Sequence, residues 1–258
     1  GCSIGYHLSL FKDTEVVIFE QNTIGSGTTA KSAGTVCLID DSVPNEWFQE
    51  RLYGFRAFVN MEAEKPGCTG FHKTGTLVVC PDQKFVDYVT TAVAQTTDAG
   101  YSARFITDHN EIHKIVPDLK LDGILGAGYT PDDGYFDATA IAKTYADKAR
   151  ANGVEVLINT KVNAINTRGG RVTGVESTRG NYELDWVVNA TGPWGRFVGR
   201  LVGLELPLWH TKAEVFIVKP TQPLGYDLPI LKYPRFYTRP EKDAVFVCKS
   251  HVGLDLTN

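Results

Sequence analysis

The first 34 residues, GCSIGYHLSLFKDTEVVIFEQNTIGSGTTAKSAG, restrict the fold more than any other stretch of this chain. Ile4 to Leu10 has the pattern of a helix entered from a glycine, and Glu15 to Glu20 reads as a strand ending in an acid. Gly1 and Glu20 stand 19 positions apart. In an α/β unit of the dinucleotide-binding type, the last glycine of G-x-G-x-x-G lets helix and strand pack closely. An acid about 20 residues later bonds a ribose hydroxyl. A glycine before a helix and a Glu after a strand are each common, so the pair also fits a plain α/β layer. The next loop, GSGTTAKSAG, has small residues and two threonines, whose backbone N–H groups and hydroxyls can approach phosphates or a flat ring. It reads equally as a polar surface loop.

Two architectures alternate along the rest of the chain. Trp47 to Glu64 is helical and aromatic, TGFHKTGTLVVC is a strand signal with a glycine turn, and Asp82–Ala99 is a helix. Asp108 and Glu111 make a capping box for a short helix ended at Pro117. Asp137 is the expected N-cap of a helix that stops at Gly153. Closely spaced strands with tight turns at RGG and RGN follow, which is an antiparallel meander. Trp186 to Ala190 is continuously apolar and reads as a strand buried on both faces, followed by a helix from Trp194 to Leu201. KAEVFIVKP, RFYTRP and AVFVCKS return to strands. The fold class is therefore α/β, or mixed α+β, with discontinuous domains. Expected parts are 1–70 and 131–205 for the nucleotide-type layer, and 71–130 and 206–258 for the antiparallel layer.

Composition excludes several roles. The formal net charge of −4 argues against nucleic acid or an anionic membrane as partner, and no apolar run approaches the roughly 20 residues of a transmembrane segment. Cys2, Cys37, Cys68, Cys80 and Cys248 are odd in number and contain no CxxC pair, so a zinc site, a dithiol motif and a disulfide reductase are not indicated. Reduced, buried thiols fit a cytoplasmic location, or a mitochondrial matrix in a eukaryote. Asp132, Asp133 and Asp137 are explained by turn and N-cap chemistry, and no metal is expected.

Taken in order, Gly1, Glu20, GSGTTAKSAG, PDDGYFDATAIAKTYADKARANGVEVLINTKVNAI and VVNATGPWGRFVGRLVGLELPL resemble the D-amino-acid-oxidase-type flavoproteins. Within them the chain is most similar to the sarcosine and dimethylglycine dehydrogenase and glycine oxidase branch. The resemblance implies a Rossmann-like FAD-binding domain with a three-stranded meander, interleaved with an antiparallel-sheet substrate domain. It also implies FAD-dependent oxidation of a C–N bond in a small amino acid or N-methyl amino acid, by hydride transfer to the flavin. Oxygen or a protein then accepts the electrons.

By position, the resemblance puts Gly1 at the last fingerprint glycine, with Glu20 and Gln21 at the adenosine ribose. Thr28, Thr29, Lys31, Ser32, Ala33 and Gly34 line the pyrophosphate and flavin, and Val162 meets the adenine through its backbone. Ala190, Thr191, Gly192 and Trp194 close over the cofactor. Some relatives tether the flavin covalently through a histidine in this loop. Ala30 and Lys31 stand there here, which implies noncovalent FAD. Tyr237 and Arg239 of RFYTRP, and His251 beyond it, are the candidates for the substrate carboxylate, since an Arg fork and a Tyr hydroxyl suit that group. Each of the three also reads as an ordinary sheet position.

Two other readings remain: a catalytically silent FAD-binding regulatory subunit on the same fold, and an NAD(P)-dependent Rossmann dehydrogenase, against which the meander speaks. The fingerprint's strand and first two glycines, roughly ten residues, do not precede Gly1. The chain therefore reads as an internal fragment of a longer oxidoreductase, expected to bind FAD poorly by itself.

Overall fold

The computed structural model describes residues 1–41, 43–209, 213–233 and 236–249, and among these it has six α-helices and fifteen strands. The first half of the chain carries α1 (Cys2–Leu8), β1 (Val17–Phe19), β2 (Thr35–Val36), α2 (Phe48–Glu64), β3 (His72–Lys73), β4 (Thr76–Cys80), α3 (Gln83–Asp98), β5 (Arg104–Ile106), α4 (His109–Ile115) and β6 (Gly126–Thr130). Then follow β7 (Gly134–Tyr135), α5 (Ala138–Ala151), β8 (Glu155–Leu157), β9 (Val162–Arg168), β10 (Arg171–Ser177), β11 (Gly180–Glu183), α6 (Gly195–Arg200), β12 (Val215–Val218), β13 (Ile230–Tyr233), β14 (Phe236–Glu241) and β15 (Ala244–Lys249).

These elements form two units, Gly1–Ser32 with Asp137–Thr211, and Ala33–Phe136 with Lys212–Asn258. Residues 33–70 group with the second unit, because Leu38, Phe48, Leu52 and Phe55 form one core with Ala99 and Tyr101. The first change of unit thus comes after Ser32 and not near residue 70.

In the first unit α1 lies against β1, where a Cβ on Gly5 would meet Ile18 Cδ1 at 2.5 Å. Strand β1 runs parallel to β8, with Val17 opposite Glu155. Asp137 caps α5 as its sequence position implies, its Oδ1 accepting from Thr139 N (2.8 Å) and Ala140 N (3.0 Å). Strands β9, β10 and β11 form the antiparallel meander, in the order β11-β10-β9.

The expected strand at Trp186–Ala190 is absent: the segment has no ladder, and Trp186 is 88% and Val188 57% exposed. Among the described residues β1 pairs with β8 and β11 with β10, and no strand lies beside 186–190 to bond its backbone or cover its side chains.

The second unit is built on a seven-stranded sheet of order β12-β15-β14-β13-β4-β6-β5, antiparallel except where β13 pairs with β4. One face carries Leu77, Val79, Ala127 and Leu231 packed with Ile112 and Val116 of the α4 region. On the other, Val78 and Cys80 pack with Ile39 and Val89 of α3. Sequence patterning misses β6, GAGYT, since it lacks the branched residues typical of strands. Its glycines have a packing cause: a Cβ on Gly128 would stand 2.4 Å from Val89 Cγ1, so only glycine lets α3 lie this close.

Candidate functional site

Three stretches singled out in the sequence come together in the first unit. A Cβ on Gly1 would be 3.8 Å from Ala190 Cβ, and one on Gly27 3.6 Å from Trp194 Cζ3. The start of α1, the threonine loop and the 190–194 turn therefore adjoin. Thr28 to Lys31 forms a 3₁₀ turn, and Thr28, Thr29, Lys31 and Ser32 are exposed, as are Gly1, Ala190, Thr191, Gly192 and Trp194. The Thr191 hydroxyl donates to Asn189 Oδ1 (2.7 Å), and Asn189 Nδ2 donates to Gly195 O (2.8 Å), which fixes the turn.

Glu20 lies just past β1. Its N–H donates to Leu157 O (2.9 Å), its carbonyl accepts from Thr160 N (2.8 Å), and its half-buried carboxylate accepts from Asn22 N (2.8 Å). Val162 opens β9 two residues beyond Thr160, while Gln21 is exposed beside Glu20. Glycine N–H and hydroxyl donors for a pyrophosphate, with a carboxylate to accept from ribose hydroxyls, stand at an open surface, so the residues present fit FAD.

The other candidates belong to the second unit. Gly34 has φ +68, its carbonyl accepts from Phe136 N (2.9 Å), and a Cβ there would meet Phe136 O at 2.0 Å. The pairing of β2 with β7 thus dictates this glycine, and Ala33 precedes it, half-buried. Tyr237 and Arg239 lie two apart on β14 and so share a face. The half-buried Tyr237 phenol is pushed up by burial first and by the adjoining Cys248 thiol second. Arg239 is 8% exposed, with its guanidinium 4.4 Å from the Tyr135 ring centroid and 4.6 Å from that of Phe246. Its Nη1 donates to Glu241 Oε2 (2.6 Å) and Pro240 O (2.9 Å), while its buried Nε has no partner. The fork is thus half committed within its own strand. His251 lies outside the described residues.

Sequence reasoning missed a buried ionic cluster on the same face. Lys232 of β13 stands directly opposite Tyr237 in the β13–β14 ladder and is 5% exposed. Its ammonium is 2.6 Å from Asp40 Oδ1 and 3.4 Å from Asp41 Oδ1. Burial works against that charge, but Cys37 and the two carboxylates outweigh it and the net shift is upward.

Asp133 completes the cluster. It is fully buried, and Oδ1 accepts from Leu38 N (2.9 Å). Burial pushes its carboxyl up to about 7, against the pull of the Leu38 hydrogen bond. N-cap chemistry therefore covers Asp137, whereas the Asp132 carboxylate accepts from Lys73 Nζ (2.8 Å) and Ser102 N (2.8 Å), and Asp133 is neither turn nor cap. The available signals were a lysine inside the apolar run PILKY and an acid pair closing VCLIDD. Among the described residues no group of three or more His, Cys, Asp or Glu is arranged to hold a metal ion, and no helix is long and apolar enough to cross a membrane.

Residues 1–255 match the family model described as "FAD dependent oxidoreductase". The chain belongs to the FAD dependent oxidoreductase family. It is 26% identical over 250 residues to the mitochondrial dimethylglycine dehydrogenase of Rattus norvegicus, covering 95% of this chain and 29% of the rat protein. To the mitochondrial pyruvate dehydrogenase phosphatase regulatory subunit of Mus musculus it is 26% identical over 199 residues, covering 77% of this chain and 22% of that protein. Glycine oxidase from Geobacillus kaustophilus superposes with a TM-score of 0.74 at 23% identity, covering 99% of this chain and 70% of that structure, which shows the shared fold. The chain thus spans under a third of the rat dehydrogenase.

Proposed function

We propose that the chain is part of an FAD-dependent enzyme that oxidises the C–N bond of a small amino acid or N-methyl amino acid. The observation that carries this reading is the meeting of Gly1 with Ala190 and of Gly27 with Trp194, which joins three sequence-distant stretches into one side-chain-poor cradle. Glu20 would hold the ribose hydroxyls, with Gln21 beside it, and Val162 the adenine edge through its backbone. Thr28, Thr29, Lys31 and Ser32 would meet the pyrophosphate and flavin, with Ala33 and Gly34 continuing the segment. Ala190, Thr191, Gly192 and Trp194 would cover the cofactor from the other side. FAD bound there would supply the two-electron acceptor for the substrate's C–H hydride. Lys31 has no imidazole with which to tether it, so binding is noncovalent.

Tyr237 presents a hydroxyl able to hold a substrate carboxylate. Arg239, clamped by Glu241 and two rings, keeps that strand's charge fixed beside it. The amine reacts as the free base, which gives a rising limb in the pH–rate profile. Oxygen or a protein accepts the electrons, and a mitochondrial matrix or cytoplasmic site suits reduced thiols.

The likeness to a phosphatase regulatory subunit favours one second reading, a catalytically silent FAD-binding subunit. One preparation of the complete gene product tests both. A yellow protein that releases its flavin on acid precipitation and is bleached by one of sarcosine, dimethylglycine, glycine, proline or a D-amino acid supports the enzyme. Flavin without bleaching by any of them supports the silent subunit, flavin retained in the pellet overturns noncovalent binding, and a colourless protein sinks both readings.

A further inference from the structure

We propose that Lys232 is a positioning residue of the substrate site: by bridging Asp40 and Asp41 while standing opposite Tyr237, it fixes these groups as one two-signed wall that orients a small zwitterion. This deepens the amine-oxidation reading above and rests on it.

The register carries the argument. Residues directly opposite in a ladder project to the same face of a sheet. Lys232 is opposite Tyr237, and Tyr237 is opposite Cys248, so three adjacent strands place an ammonium, a phenol and a thiol side by side. The ammonium's partners come from outside the sheet: Asp40 at 2.6 Å and Asp41 at 3.4 Å belong to the segment after β2. Lysine has three donors, and among the described residues two carboxylates engage it. Arg239, the other cation on this face, is tied to Glu241 and Pro240 of its own strand and enclosed by Tyr135 and Phe246. Of the two, Lys232 alone connects the tyrosine to acids from another part of the chain. The face then offers cation and hydroxyl to a carboxylate, and Asp40 or Asp41 to the amine of the incoming zwitterion, which loses its extra proton to solvent before it reacts as the free base.

A role confined to folding would not need both acids. The backbone of the same segment is already held from elsewhere, since Tyr88 Oη donates to Asp40 O (3.1 Å) and Arg51 Nη1 donates to Asp40 O (3.3 Å) and Val43 O (3.2 Å). Losing the lysine should therefore leave the segment in place and release the two carboxylates from their register with Tyr237.

The test uses the FAD-loaded protein and the panel amine that wild type oxidises best. Lys232→Met is expected to raise KM at least ten-fold with kcat within three-fold of wild type. It should also weaken binding of propionate, a carboxylate without an amine, ten-fold by flavin difference absorbance. Lys232→Arg, which restores the cation, should return KM to within three-fold. Unchanged KM and propionate affinity in Lys232→Met overturn the proposal, as does Lys232→Arg behaving no better than Met. Should the Met variant not fold, Asp41→Asn decides: a two- to five-fold higher KM supports the wall, and an unchanged KM overturns it. Wild type inactive on every amine overturns the enzyme reading and this proposal with it. An active wild type with an indifferent Lys232 removes this proposal alone.

Discussion

Asp133→Asn should flatten the pH dependence of stability of the sheet unit. The carboxyl is fully buried and pushed up to about 7, against 3.8 for an exposed aspartate. Between those two values the folded chain holds a proton that the unfolded chain has released, so stability falls as pH rises from about 4 to about 7 and is level above. Each pH unit in that window is worth about 1.4 kcal/mol, and roughly three units give a ceiling of ~4 kcal/mol. The Lys232 ammonium is pushed up and burial pushes the Cys37 thiol up as well, so neither of these two neighbours titrates in the window. Asparagine keeps an oxygen for Leu38 N and cannot ionise, so any constant cost of the substitution is independent of pH. The assay is urea unfolding at half-unit steps from pH 4 to 8, read by hydrogen exchange in peptides from β4 and β13. The stability of Asp133→Asn minus that of wild type should climb by up to about 4 kcal/mol across the range. A difference that stays flat within about 0.5 kcal/mol refutes the assignment of a proton to this buried carboxylate.

Glycine substitutions give a matched pair. Gly128→Ala forces a Cβ to within 2.4 Å of Val89 Cγ1 and should cost about 1–3 kcal/mol in urea unfolding. Gly54→Ala, mid-helix in α2 with nothing within 4 Å, should instead gain about 0.5–1 kcal/mol. Asp137→Ala removes the acceptor for Thr139 N and Ala140 N and should lower stability by about 1 kcal/mol, with Asp137→Ser recovering most of it in the same assay.

Local chemistry was the legible part of this sequence. Asp108 and Asp137 each cap the helix their position implies, accepting from Asn110 N and Thr139 N, and Asp82 at the start of its helix accepts from Phe85 N. The meander follows from its glycine turns, with Gly169 and Gly170 at φ +59 and +76. Where a residue's state depends on a distant neighbour, patterning failed. Trp186–Ala190 has the composition of a buried strand but no ladder partner among the described residues. Strand β6 has the composition of a loop, yet its glycines serve the approach of α3. Arg239 was singled out because RFYTRP resembles a strand of the family, whereas Lys232 owes its meaning to Asp40, 192 positions away.

The same distinction explains why the sequence suggests the proposed cradle of the first unit but is silent on Lys232, Asp40 and Asp41 of the proposed wall of the second. A nucleotide is recognised largely by backbone and by small hydroxyl side chains, and the sequence must spell this as glycine and threonine at fixed offsets from a helix and a strand. Those offsets survive as text. A small zwitterion offers one carboxylate and one amine, and here the opposite charges proposed to meet it come from separate elements. Asp40 and Asp41 follow β2, Lys232 lies on β13 and Tyr237 on β14, and only the sheet registers them. Burial then raises what is at stake in that registration: an unpaired charge at the position of Lys232 costs several kcal/mol, and an unpaired carboxylate beside it as much. The two signs are therefore retained or lost together, so Lys232→Met combined with Asp40→Asn should be less destabilising than the sum of the two single changes.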